Sequence, residues 1–371
     1  MYNCILYRIT MRIQLLLLSF LPFLISSCSL SNQQTYQNND CRVGVNLTLS
    51  GNAASWGNEL KKGIDLAIHF YNDTCAKNRV QLIYEDNQFN ARQAVSITKK
   101  LIEVNEVDII ISGYTPIVKA TKDITNKFEV PLIATLTSAE GITDDLPWVF
   151  RDFVLESAYM PLIADYLKEN TDFNTGTSLV INDDFGLDTK KYFTQAFEEK
   201  GGKMLSGELF DASTLDHRTK VNKLLSQNPD FILVVGRGSA LINACRQISE
   251  LDPNIQIISS VSINDSNIWN GLGAASEGVI YAETDLNTDN PEFIIANKLH
   301  NKKHNYQLNW VNIYGYSIGK YICEILYNNG NHKKSIQQAL QNLNTQSLRG
   351  QLIMSDNREI ISPISITKKI N

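Results

Sequence analysis

Apolar and polar positions alternate between two periods along this 371-residue chain. A short apolar run at 43–47 reads as a strand and passes into the polar turn Ser50-Gly51-Asn52, the small residues Ala53-Ala54-Ser55, and Trp56-Gly57. Leu60, Ile64, Ala67, Ile68 and Tyr71 then recur at three- and four-residue spacing, which predicts a helix with one apolar face. The same exchange of periods continues. Strands are expected at 80–84, 107–112, 131–135, 178–182, 231–235, 255–260 and 278–282. Helices are expected at 91–105, 117–128, 157–170, 188–200, 219–227 and 240–251, then at 310–327 and 335–342 before a strand at 350–355. Strands alternating with helices in this way predict an α/β fold with parallel sheets covered on both faces. No linker divides the chain into contiguous domains, and no internal repeat is visible.

The first residues follow a different pattern. Arg12 precedes the apolar run 15–25, and Ile25-Ser26-Ser27-Cys28 follows. A basic head, an apolar core too short to span a bilayer and small residues before a cut predict a signal peptide over 1–27, with Met11 as an alternative start. The four residues resemble a bacterial lipobox, which implies lipidation of Cys28; a plain signal peptide with an incidental cysteine is the other reading. The Ser-, Gln- and Asn-rich segment up to 40 is then a tether, 28–40, and the product faces the periplasm or exterior.

Composition narrows the function. At 43% hydrophobic and 20% charged residues, the chain is of ordinary globular character and long enough for two lobes. A net charge of −5 with scattered Lys and Arg argues against nucleic acid as a partner. An exported chain keeps disulfides. Cys41 begins the first strand and Cys75 follows the first helix, and in a parallel βαβ unit both points fall on one edge of the sheet, so a Cys41–Cys75 bridge is expected. Cys245 and Cys323 fall inside amphipathic helices, as buried thiols. The five histidines are scattered and no Cys/His pair has metal-ligand spacing, so no metal and no cofactor are expected. There is no Gly-x-Ser-x-Gly elbow or phosphate loop, which argues against an enzyme.

The stretch LTLSGNAASWGNELKKGIDLAI carries a resemblance. Its polar-Gly turn Ser50-Gly51, its run Ala53-Ala54-Ser55-Trp56-Gly57 and its Gly63-Ile64-Asp65-Leu66-Ala67 segment resemble the opening of type I periplasmic binding proteins, the Leu/Ile/Val-binding branch of ABC-transporter receptors. The likeness extends from about Arg42 to the C-terminus. It implies two doubly wound parallel-sheet lobes joined by three crossovers, near Phe153, Glu283 and Ser347. Lobe one would comprise 41–153 and 284–346, and lobe two 154–283 and 347–371.

In such sheets ligands bind outside the carboxyl ends of strands. Ser55 and Trp56 lie in the first such loop, where the resemblance implies an aromatic cover for the ligand; packing between lobes is the alternative role for Trp56. In Gly113-Tyr114-Thr115-Pro116, Thr115 reads as an N-cap and Pro116 as the first helical residue, and the resemblance makes Thr115 a carboxylate ligand. In Thr135-Leu136-Thr137-Ser138, it implies that the Leu136 carbonyl meets an ammonium and Ser138 a carboxylate, with Thr137 beside them.

Lobe two departs from the pattern. Asp183-Asp184-Phe185-Gly186 offers Phe185 to stack on a ligand and Asp183 or Asp184 to meet a cation. Arg237 stands where the amino-acid receptors often place an aromatic, as a ligand contact or a plain surface residue. In Ser259-Ser260-Val261-Ser262, Val261 occupies the place of the acid that pairs with an α-ammonium, leaving Ser262 as the turn's polar contact. A buried ammonium without a partner is costly. A carboxylate, dicarboxylate or small amide therefore fits as well as a standard amino acid. The expectation is a monomeric, lipid-anchored solute-binding protein serving an ABC permease. The alternative is a regulatory or sensor lipoprotein of the same fold that binds an envelope protein.

Overall fold

The computed structural model describes residues 40–51, 53–74, 79–284, 286 and 288–370. Cys28 and the expected signal peptide and tether up to 39 lie outside them, as does Cys75. Cys41 is fully buried beside the Asp108 carboxyl, and because Cys75 lies outside the described residues the expected Cys41–Cys75 pairing is untested.

The chain opens with β1 (Cys41–Leu47), the helix Ala54–Thr74, β2 (Val80–Asp86), the helix Ala91–Glu103, β3 (Ile109–Gly113), the helix Thr115–Lys127, β4 (Leu132–Thr135) and β5 (Val149–Asp152). The five strands form one parallel sheet ordered β2-β1-β3-β4-β5. β3 and β4 are buried along their whole length, which explains their unbroken apolar runs.

The chain then builds a second sheet. Behind the helix Glu156–Asn170 come β6 (Thr175–Ile181), the helix Asp184–Glu199, the short strands β7 (Lys203–Met204) and β8 (Glu208–Phe210), and the helix Arg218–Leu225. β9 (Phe231–Val235), the helix Gly238–Leu251, β10 (Gln256–Ser259), the short helix Ser266–Leu272 and β11 (Ile280–Thr284) complete the run. After the helices Pro291–His304, Trp310–Asn329 and Lys333–Gln341 come β12 (Asn344–Ser347), β13 (Gly350–Met354), β14 (Ile360–Ile361) and β15 (Ile364–Lys368). The second sheet is ordered β15-β11-β10-β9-β6-β7, with β8 also on β6. It is parallel except for β15, which runs antiparallel to β11.

The helix Trp310–Asn329 returns to the first sheet's side and packs against Ala54–Thr74 closely enough to need glycines. A Cβ on Gly63 would lie 1.9 Å from the Asn312 carbonyl oxygen, and one on Gly315 2.1 Å from that of Leu60. Glu59 ties the pair, accepting from both Asn309 and Asn312 side chains.

Several elements differ from expectation. β12, β13 and β14 form a small antiparallel sheet. Backbone and side-chain contacts bring 358–359 against Arg151 at the edge of the first sheet. The last passage between sheets therefore lies at 361–364, between β14 and β15, rather than near Ser347. The helix Pro291–His304 has no legible apolar face, because only Ala296 and His300 are buried on it. Thr115 is not an N-cap. Tyr114 takes that position with φ 71°, Thr115 is the first helical residue, and its hydroxyl turns to Thr137.

Candidate functional site

Each sheet has one place where its strand order reverses, and the site lies between the two. In the first sheet the reversal falls at β1 and β3, so the loops after Leu47 and Gly113 open the crevice. In the second it falls at β6 and β9, and the loops after Ile181 and Val235 open it. Trp56, Tyr114, Asp183 and Arg237 all follow these four strands.

Buried hydrogen bonds fix the first loop. Asn46 donates to the Ala94 carbonyl and Thr98, Asn87 donates to Asn46, and Thr48 donates to Asn87. Asp86 accepts from the Leu49 N–H at 2.9 Å and from the Ser50 hydroxyl at 2.5 Å, contacts that hold its carboxyl below the usual range despite some desolvation. Trp56 then lies parallel to the Tyr114 ring at 6.3 Å and edge-on to Trp310 at 5.1 Å. The Tyr114 hydroxyl donates to the Ala53 carbonyl at 2.6 Å.

A cavity of about 240 Å³ lies against this aromatic wall. Ser55, Trp56 and Tyr114 line one side, and Arg237 and Asp265 the other. Arg237 is placed by two contacts: Nη1 donates to Asp183 at 2.6 Å, and the guanidinium lies 4.4 Å over the Phe185 ring. Its Nε is buried and has no hydrogen-bond partner. Asp265 caps Ser266–Leu272, one oxygen accepting from the Asn267 and Ile268 N–H groups, while burial holds its carboxyl above the usual range. Sequence reasoning missed Asp265. It stands four residues beyond Val261, and its only local signal is the N-cap pattern.

A second polar group lies deeper. Thr115 and Thr137 share a hydrogen bond of 2.9 Å, and Leu136 adopts φ 51° at the end of β4. Positive φ at two bulky non-glycine residues, Tyr114 and Leu136, marks both strand ends as strained, a condition found where function requires it. Ser138 adjoins the completely buried carboxyl of Glu156, with the hydroxyls of Tyr159 and Thr189 also near. None of these completes a bond of ordinary geometry to it. Desolvation pushes the Glu156 pKa up to about 7. Tyr159 in turn faces Ser260 and Val261, so Glu156 and Tyr159 bridge the turns of both sheets. Glu156 was also missed, since a lone glutamate at a helix start carries no sequence signal beyond that position.

The expected residues thus fall into separate places. Ser55, Trp56 and Arg237 line the cavity, with Phe185 under the guanidinium. Thr115, Leu136, Thr137 and Ser138 are buried beside it rather than in its wall. Asp184 does not face it: exposed at the rim, it pairs with Lys119 of the opposite lobe at 2.6 Å. Ser262 is fully buried, its hydroxyl bonded to Ser260 at 2.8 Å.

A family model described as "Periplasmic binding protein" matches residues 40–368. The chain belongs to that family. The Leu/Ile/Val-binding protein homolog 2 of Brucella abortus (strain 2308) is 23% identical to this periplasmic binding protein over 264 residues, 69% of this chain and 70% of that one. A leucine-binding protein from Thermotoga maritima superposes with a TM-score of 0.81 at 17% identity, covering 89% of this chain and 98% of the other. A solute-binding protein of an ABC transporter from Rhodopseudomonas palustris BisB5, solved with 3,4-dihydroxybenzoic acid, superposes at 0.80 with 22% identity, covering 89% and 93%. The fold is that of the type I periplasmic binding proteins, and these relatives are binding proteins rather than enzymes. The family name places the chain outside the cytoplasm. Among the described residues no helix is long and apolar enough to cross a membrane.

Proposed function

We propose that this periplasmic binding protein captures a small carboxylate solute, an amino acid in the first instance, between its lobes and delivers it to an ABC permease while tethered through a lipid on Cys28. One observation carries the choice of solute. The cavity is lined by Arg237 and the Asp265 side chain on one wall, and by the Trp56 and Tyr114 rings on the other. A zwitterion with an apolar side chain is complementary to that set: its carboxylate meets Arg237, its ammonium meets Asp265, and its side chain lies on the rings. Asp265 answers the lack of an acid at Val261. Thr115 opens the helix Thr115–Lys127 next to the cavity residue Tyr114, and the free N–H groups of that helix start favour a carboxylate. Relatives named for leucine and solved with a dihydroxybenzoic acid fit the same class.

The test is thermal unfolding and calorimetric titration of the purified chain with leucine, isoleucine, valine, benzoate and dicarboxylates. A ligand at a hundred times its Kd adds about 2.7 kcal/mol of apparent stability, a rise of a few degrees. Binding of amino acids that Asp265→Asn removes supports the reading. Binding of benzoate alone, insensitive to Asp265→Asn, replaces the amino acid by an aromatic acid. No binding by any of them favours the regulatory reading, in which a protein partner occupies the rim.

A further inference from the structure

Outside the cleft, the groove between Ala54–Thr74 and Pro291–His304 holds a cavity of about 430 Å³. Three of the chain's five histidines converge there, His69 from the first helix and His300 and His304 from the second. His300 is 1% exposed, yet neither ring nitrogen has a hydrogen-bond partner. It packs against the His304 ring at 4.6 Å and the Tyr306 ring at 4.8 Å. A buried imidazole whose two nitrogens lack partners is uncommon, and His300 lines this cavity.

The charges around it indicate the ligand's sign. Asp65 is committed to Lys61 at 2.6 Å and to the Tyr84 hydroxyl at 2.7 Å, and Asp73 faces His69 at 3.5 Å. Lys62 is bound to Glu59 and Tyr306. Lys302 and Lys303 also line the cavity, and among the described residues neither forms an ion pair. The surplus is positive. Leu66, Phe70 and Leu299 supply an apolar wall. No group of three His, Cys, Asp or Glu side chains among the described residues is placed to hold a metal ion.

We propose that this groove is a second binding site, taking a small anion that carries one apolar group and seating its charge between His300, His304 and the Lys302–Lys303 pair. Without an anion, burial and then the neighbouring His304, Lys62 and Lys303 push the His300 pKa down to about 4, with Glu59 opposing them. Burial and the same lysines lower that of His304, against Glu59 and Asp65. An anion among these groups reverses the local charge and favours imidazolium. Binding therefore strengthens as pH falls through the histidine pKa values of the complex, by up to about tenfold per pH unit for each proton taken up. The same chemistry is offered by a free aryl or alkyl anion and by a phospholipid headgroup at the membrane surface.

The test is an NMR titration of the histidine ring protons at pH 5.5 and 7.5. One arm uses benzenesulfonate, whose charge is constant over this range, and the other uses a short-chain phosphatidylglycerol below its micelle concentration. Saturable shifts at His300 and His304, with a lower Kd at pH 5.5, support the site, and the arm that binds more tightly names the source. Lys302→Glu with Lys303→Glu, both on the exposed side of the helix, should weaken binding at least tenfold, whereas Arg237→Ala should leave it unchanged. Shifts absent from both arms, undiminished in the lysine variant or abolished by Arg237→Ala overturn the proposal. The last outcome assigns the ligand to the cleft instead.

Discussion

Glu156 is a carboxyl that the fold holds at a disadvantage. Its pKa of about 7 lies above the ordinary value of 4.5, so the folded state binds the proton more tightly than the unfolded chain does. The stability tied to that proton is fully present below pH 4.5 and is lost as pH rises through 7. Glu156→Gln removes the titration. The variant should match the parent near pH 4 and exceed it at pH 8 by up to about 3 kcal/mol, read from chemical denaturation at both pH values. Arg237→Ala leaves Asp183 at the surface, so the unliganded midpoint should barely move. Its effect should fall on binding, with solute affinity down about 10- to 100-fold by calorimetry, the loss of one charged hydrogen bond. At this scale the sequence showed residue types but not their partners. Arg237 was visible as a departure from the family pattern, while its stacking on Phe185 and its bond to Asp183 depend on two strands distant in sequence. Asp184 and Ser262 went to the rim and the core because a turn's neighbours face different ways, and no spacing rule reports which way.

Elements with a strong period were legible. The helices at 91–105 and 310–327 and the strands at 231–235 and 350–355 were visible because one face, or both, is buried. Elements without that signal were not. β7 and β14 have two residues each, and Pro291–His304 exposes Ile294, Ile295 and Leu299, so its apolar positions do not form a core stripe. The motif glycine Gly63 has an element-scale cause: the helices Ala54–Thr74 and Trp310–Asn329 meet backbone to backbone at this point. Gly63→Ala forces the Asn312 carbonyl away and should cost about 2 kcal/mol or more in chemical denaturation, as overpacking does. The same change at Gly51, where a Cβ meets nothing but φ is 81°, costs only backbone strain.

Across the whole molecule, the buried pair Asp152–Arg349 sits where β5 leaves the first sheet. Its bond is 2.8 Å, both side chains are 1% exposed, and the Arg349 guanidinium lies 3.9 Å over the Tyr314 ring. Tyr321 donates to the same carboxylate. Asp152→Ala strands a buried cation and should destabilise the chain by about 3–5 kcal/mol in denaturant unfolding, because the pair joins the end of β5 to the turn between β12 and β13. Arg151 makes a related link, donating to the Ala139 carbonyl at 2.6 Å and pairing with Glu359, so the carboxyl-terminal segment braces the Leu136–Ser138 turn. The two-sheet architecture was legible from the alternation of periods and from the resemblance. The position of the last passage was not, because 350–361 is amphipathic enough to lie against either lobe.

The Lys119–Asp184 pair joins the lobes at the rim without touching the cavity. Both side chains are about half exposed, so the pair contributes at most about 1 kcal/mol. That is enough to change a ratio: an attraction independent of the solute raises the closed fraction of the empty protein up to about fivefold. A permease that recognises the closed shape would then meet some receptors carrying nothing. Under the proposed transport role, the rim would set the background of uptake, the rate of unproductive visits, while the cavity would set its selectivity. Salt weakens the half-exposed rim pair more than the partly buried charges of the cavity, so in that role the background would fall in a more saline environment while the choice of cargo changed less.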